Sequence, residues 1–198
     1  MTLSELQNYV QTYNRAVFTL IASGRNAPSA TRLERFETSI GFRFPEDFRK
    51  LTMSPLGGLC FGVPEELWPR PAQNTEEPWR KLYCVKIFGI AVGVPVWLDL
   101  REELNALPPE ESDLVPFMAR GSEPERYCFD LDGQIVRWSP GDGQREVVET
   151  SFFSLLLHEF SALEARWERL KKTRSAKPRA RKKTTKKQKT GSRKLVTN

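Results

Sequence analysis

The distribution of charge divides this chain near Lys171 and limits what can fold. From Lys171 to Asn198 stand 13 lysines or arginines and no aspartate or glutamate, with almost no large apolar side chains. Such a stretch cannot repay the entropy of ordering its backbone. It is expected to be a disordered basic tail over residues 173–198, so the core has to be built from residues 1–172. At that length one compact domain is the expectation.

Setting the tail aside reverses the electrostatics of the remainder. The whole chain carries +6, yet residues 1–170 hold 18 of its 31 basic residues against all 25 acidic ones, a net charge of about −7. An acidic domain repels phosphate backbones and attracts cationic partners, and a basic arm does the opposite. The two halves are expected to have different partners, or to bind each other. No apolar run approaches the roughly 20 residues that cross a bilayer, and the N-terminus lacks the charged-then-apolar pattern of a signal peptide. A cytoplasmic location is expected. Cys60, Cys84 and Cys128 are an odd number without close spacing, which argues against a disulfide framework or a zinc site.

Hydrophobic spacing sets the order of elements. Leu6, Val10, Tyr13, Val17, Leu20 and Ile21 recur every three or four residues, and Thr2 with Glu5 matches a capping box, predicting a helix over Thr2–Ser23. A second helix is expected from Thr31, with Glu34 completing a box and Gly41 ending it in the left-handed conformation. Pro45 restarts a short helix over Glu46–Met53 from its first turn. Prolines 64, 69, 71 and 78 break up the next stretch, read as loop with one helical turn at Glu65–Leu67. Strands are expected over Leu82–Val92, Leu114–Met118 and Arg126–Leu131. A short helix capped by Asp99 and Glu102 runs through Asn105 between the first two. Asp132-Gly133 marks a hairpin into Ile135–Trp138, with a further strand near Glu146–Val148. The last helix, Ser151–Lys172, puts Phe153, Leu156, Phe160, Leu163 and Trp167 on one stripe that must be buried. This order gives an α+β fold: N-terminal helices, a central, mainly antiparallel sheet and a C-terminal helix packed on it.

Catalytic chemistry finds little support in the residues. His158, the only histidine, lies within the last helix, where a rim position is the common role of an imidazole. Cys60 and Cys128 have no spacing partner and read as packing thiols. Asp130 and Asp132 share a strand face and could hold a magnesium ion, but their position favours hairpin chemistry. No glycine-rich nucleotide loop is present. Neither a metal nor a cofactor is expected, and the chain is read as not an enzyme. The tail, through Arg179, Arg181, Lys182, Lys183, Lys186, Lys187 and Lys189, suits salt-sensitive, non-specific nucleic-acid binding. It carries no aromatic residue for base stacking, and docking on the acidic domain or simple solvation fits equally well.

One stretch resembles a known family. Leu33-Glu-Arg-Phe-Glu37, Ile40-Gly41, Phe44-Pro45-Glu-Asp-Phe48 and Gly57-Gly58 are similar to the opening signature of the SUKH superfamily, in its Smi/Knr-type members. Leu114–Phe117, Tyr127–Asp130, Ile135–Trp138 and Ser151–Phe153 follow in that family's order, so the resemblance covers about residues 30 to 165. The proline-broken insert from Pro64 to Trp79 and the basic tail depart from the pattern. The resemblance implies an α+β fold and a non-catalytic protein-binding role, in many bacterial members that of an immunity protein neutralising a toxin. A cationic toxin domain would be drawn to an acidic globule. Glu65, Glu66, Asp99, Glu102, Glu103, Asp130 and Asp132 are the acids expected at such an interface. The alternative is a nucleic-acid-associated protein that works through its tail.

Overall fold

The computed structural model describes residues 2–67, 84–121 and 123–175. The expected strand start at Leu82, the insert from Trp68 onward and all seven tail residues named above lie outside them. The fold is α+β as expected: seven antiparallel strands in sequential order, β1 to β7, with the N- and C-terminal helices layered on one face.

Helix α1 (Leu3–Thr12) begins with the expected capping box, Thr2 and Glu5 satisfying each other's backbone N–H. It ends earlier than its apolar period suggested. The Asn14 side chain takes the N–H of Ala16, and its carbonyl takes those of Val17 and Phe18, so a local turn outcompetes the helix. The residues after this turn, several of them β-branched, then form strand β1 (Thr19–Ile21), paired with β2 (Cys60–Gly62). The second half of the predicted first helix is thus a turn and an edge strand. Strand β2 itself falls in a stretch read as loop.

Helix α2 (Ala30–Ile40) is capped by Ser29, whose hydroxyl accepts from the Arg32 N–H, two residues before the expected Thr31. Gly41 ends it at φ 66°, as expected. Pro45 is the N-cap of α3 (Glu46–Thr52) rather than part of its first turn.

Strands β3 (Cys84–Ile87), β4 (Val115–Arg120), β5 (Arg126–Phe129), β6 (Ile135–Ser139) and β7 (Gln144–Val147) complete the meander. The expected strand does not continue to Val92: the Phe88 N–H still donates to the Phe117 carbonyl, but that of Gly89 turns to Leu98 and the chain leaves the sheet. The Asp132-Gly133 hairpin forms where predicted, with Asp130 and Leu131 drawn from the strand into the turn. Between β3 and β4 the chain crosses to the face opposite the helices and carries α4 (Leu100–Asn105), capped by Asp99 through the Arg101 N–H rather than through a box with Glu102.

Helix α5 (Phe152–Ser175) buries the predicted stripe against the sheet, with Phe153, Leu156 and Phe160 at 1% exposure or less. It runs to Ser175, a little beyond the expected Lys172. Phe48, Phe117, Phe129 and Phe152 form the aromatic centre of this layer, with Phe117 stacked on Phe129 at 4.2 Å. A bulge between Pro116 and Met118 accompanies the placement of Phe117 in this core.

Inside the helical layer lies a buried ion pair that the sequence reading did not single out. Glu37 of α2 accepts from the Phe44 N–H at 2.9 Å and from the Arg49 guanidinium of α3. One carboxylate therefore fixes both the loop entering α3 and the angle between the two helices. The Arg49 guanidinium is held charged first by that hydrogen bond.

Candidate functional site, an apolar groove beside an acidic ledge

The face of the sheet opposite the helices is only partly covered. Over β4 to β6, Leu114, Cys128, Val136 and Trp138 close a small second core with Leu107. Over β1 to β3 a groove of about 540 Å³ remains. Its floor is Thr19 and Ile21 of β1, Cys60 and Gly62 of β2, and Cys84 and Lys86 of β3. One wall is Val63, Pro64 and Glu66, and the other is Trp97.

A backbone crossing places Trp97 there. After β3 the chain passes directly over the loop that leads into β2. A Cβ on Gly89 would lie 2.5 Å from the Gly58 Cα, closer than real atoms approach, and Gly58 itself has φ +60°. Beyond the crossing, Gly89 exchanges backbone bonds with Leu98 and Leu100 at 2.9 Å each. This clamp pins the 3-10 turn Val96–Leu98, drives Leu98 into the floor and leaves Val96 and Trp97 outside. The Lys86 ammonium sits 5.6 Å from the Trp97 ring centroid, a cation–π contact that covers part of the groove.

Exposed apolar side chains concentrate here. Among the described residues seven large hydrophobics are exposed, and five of them, Ile21, Leu67, Val92, Val96 and Trp97, belong to this groove or the segments bordering it. Val96 is 73% exposed and Trp97 44%. Scattered exposed hydrophobics are ordinary, but a contiguous group marks a contact surface.

The predicted acids divide into separate regions. Glu66 lines the groove, and Glu65 opens the turn leading to it. Asp99, Glu102 and Glu103 ride on α4 next to Trp97, forming an acidic ledge. There Asp99 pairs with Arg101 at 2.6 Å and Glu103 with Arg126 at 3.0 Å, while Glu102 is exposed. Asp130 and Asp132 lie elsewhere, at the β5–β6 hairpin against Pro45. The Asp130 carboxylate accepts the N–H groups of Asp132 and Gln134 at 3.0 and 2.8 Å, so it serves the turn.

Farther along the same face, Arg145 bridges Asp113 and Glu111. The hydrogen bond from Arg145 is the main cause that holds the Asp113 carboxyl below its ordinary range.

A second cavity, of about 500 Å³, opens between α5 and β3–β4 and is lined by Arg120, Arg166, Glu123 and Glu159 among others. Burial, then the hydrogen bond to Glu159 at 2.8 Å, keeps the Tyr127 phenol protonated well above its usual range. This is an ion-pair and hydrogen-bond network. His158 is exposed on the adjoining helix. Among the described residues no three histidine, cysteine, aspartate or glutamate side chains converge as a metal site, and no helix is long and apolar enough to cross a membrane.

Of the acids named from the sequence, the structure brings Glu66 and the α4 acids to the edge of the groove; Trp97, Val96, Ile21 and Lys86, which line or border it, were not among the residues singled out. The run Val94-Pro-Val-Trp97 has neither helical nor strand period, and its one signal was a tryptophan in an aperiodic segment following a glycine.

A sequential antiparallel meander with the N- and C-terminal helices on one face and a two-walled groove on the other defines an α+β domain with exposed apolar side chains beside the groove. The chain belongs to the SUKH_6 family, described as SMI1-KNR4 cell-wall, whose model matches residues 30–156. That span runs from the start of α2 into α5 and includes the groove floor on β2 and β3, the Gly58–Gly89 crossing and the ledge. No curated protein matches the chain significantly.

Proposed function

We propose that this protein is a cytoplasmic, non-catalytic binding module whose groove and acidic ledge capture a cationic protein partner, in the manner of an immunity protein holding a toxin domain. SUKH domains typically bind protein partners and include immunity-type members. The observation that carries the reading is the juxtaposition of exposed Val96 and Trp97 with Glu66, Asp99 and Glu102. An aromatic anchor within an apolar patch, bordered by polar and charged side chains, is the usual anatomy of a protein-binding hot spot. The net charge of about −7 over residues 1–170 adds long-range steering of a basic partner. Glu103 is engaged with Arg126 and orients the ledge; Asp130 and Asp132 are assigned to the hairpin and not to the interface.

The test is co-expression with the toxin-like product of an adjacent gene, followed by measured binding of the purified pair. Rescue of growth with a stable complex is expected. Absence of binding to any neighbouring gene's product, in protein that is folded, counts against the proposal.

A second reading rests on the 13 basic residues from Lys171 onward. In it the tail holds nucleic acid and the domain brings a partner. Deleting residues 173–198 separates the two: partner capture survives the deletion, whereas salt-sensitive nucleic-acid retention disappears with it.

A further inference from the structure

Two of the three cysteines meet in the floor of the groove. The β2–β3 register sets Cys60 opposite Lys86 and Gly62 opposite Cys84, so the two thiols stand on one diagonal of the same sheet face. Gly62, facing Cys84, brings no side chain into the space between them. Both cysteines line the groove, and each retains 8% of its surface.

The pair is also chemically asymmetric. Each thiol perturbs the other, Cys60 being pushed up and Cys84 pushed down by the neighbouring sulfur. The Lys86 ammonium adds to the stabilisation of charge on Cys84, and burial opposes it. Glu66 faces the pair from the groove wall, and Arg120, Glu123 and Glu159 face Cys84 from the adjoining cavity. Cys128 provides an internal contrast. It is fully buried among Leu114, Val136 and Trp138, has no thiol partner, and burial pushes its thiol up.

We propose that Cys60 and Cys84 form a peroxide-reactive dithiol that closes reversibly to a disulfide across β2 and β3. The Cys84 thiolate attacks one peroxide oxygen, the O–O bond breaks, and the departing hydroxide takes a proton to leave as water. Cys84 is then a sulfenic acid. The Cys60 sulfur attacks the Cys84 sulfur; an S–S bond forms, the S–O bond breaks, and the hydroxyl leaves as water with the Cys60 proton. The two thiols together supply the two electrons that reduce the peroxide. Diagonal positions of an antiparallel pair hold their Cα atoms roughly 7–8 Å apart, whereas relaxed disulfides span about 4.4–6.8 Å. Closure must therefore draw the strands together, which favours ready reduction by an external thiol. This chemistry does not depend on the identity of the groove's protein partner.

The test is hydrogen peroxide treatment of the native full chain, followed by thiol titration and peptide mass spectrometry. The expected result is joint loss of two of the three thiols, a Cys60–Cys84 linked peptide, restoration by dithiothreitol, and an intact Cys128. In the reduced protein, alkylation of Cys84 is expected to run at least about tenfold faster than that of Cys128. With Cys60→Ser, the Cys84 sulfenic acid persists and is trapped by dimedone. Retention of all three thiols under peroxide, oxidation without the linked peptide, or equal labelling of Cys84 and Cys128 overturns the proposal. The wild-type measurements decide it even where the variant fails to fold.

Discussion

Replacing Glu37 with alanine removes the one carboxylate that joins α2, the loop before α3, and Arg49. Two losses combine. The Phe44 N–H loses its acceptor, and the Arg49 guanidinium, with a side chain 10% exposed, loses its near partner and keeps only Glu34 at 3.8 Å. Breaking a buried pair by deleting one member costs about 3–5 kcal/mol, because the other charge stays buried without compensation. Arg49 lies just under the surface, lining a shallow cavity with Glu34 and Arg43, so water can reach it after the change. The lower end of the range, about 3 kcal/mol, is therefore expected. In a domain of this size each kcal/mol shifts Tm by about 2–4 °C, so Glu37→Ala is expected to lower it by about 6–12 °C. The assay is thermal and urea unfolding of four proteins: wild type, Glu37→Ala, Arg49→Met and the double variant. Arg49→Met keeps much of the apolar volume and removes the charge, so the double variant is expected to recover a large part of the loss, with a coupling of about 1–3 kcal/mol. A Glu37→Ala protein within about 1 kcal/mol of wild type, or strict additivity in the double variant, refutes the assignment of a buried, coupled pair.

Three further predictions concern the groove, the crossing that supports it and an ion pair farther along the same face. Gly89→Ala drives a methyl group into the Gly58 backbone and is expected to cost about 1–3 kcal/mol as an overpacking change, read by urea unfolding; near-neutral behaviour removes the crossing as the device that positions Trp97. Trp97→Ala is expected to weaken capture of the protein partner by about 2 kcal/mol or more while shifting unfolding stability by less than about 1 kcal/mol, compared by calorimetric titration and melting; unchanged affinity excludes the groove wall from the interface. Asp113 has its carboxyl depressed by Arg145, so its stabilising contribution is present above the ordinary aspartate pKa and is lost as pH falls through the lower folded value. Arg145→Met is expected to flatten that acid limb of the stability profile, and an identical slope in the variant contradicts the pairing.

The architecture was legible wherever a residue's role is set by its neighbours in sequence. The Phe153–Trp167 stripe, the Asp132-Gly133 turn and Gly41 after α2 each depend on contacts within a few positions, and each appears where expected. Thr19–Ile21 shows where this fails. Its apolar residues fit a helical period, but the Asn14 turn and pairing with β2, some forty positions away, convert it to an edge strand.

The groove was unreadable for a related reason. Its residues are contributed by β1, β2, β3 and the Val96–Leu98 turn, and the crossing that unites them depends on Gly58 and Gly89, thirty-one positions apart. Neither glycine occupies a recognisable turn with the other, so nothing local distinguishes the steric requirement from ordinary loop punctuation.

Glu37 presents the opposite difficulty. It stood inside the family signature, yet nothing local on an amphipathic helix marks one glutamate for burial; only the return of the chain through Phe44 and Arg49, seven and twelve positions later, buries it. The chain therefore spends a buried carboxylate on joining α2 to α3 and leaves Glu66 and Glu102 around an exposed tryptophan. That division separates acids that hold the fold from acids available to a partner, and it makes opposite demands on substitution. Glu102→Gln should alter capture of a cationic partner and its salt dependence with no change in melting, whereas Glu37→Gln should alter melting first. A binding loss in Glu37→Gln at temperatures where the protein is fully folded, matched by indifference to Glu102→Gln, would place the interface on the helical layer instead.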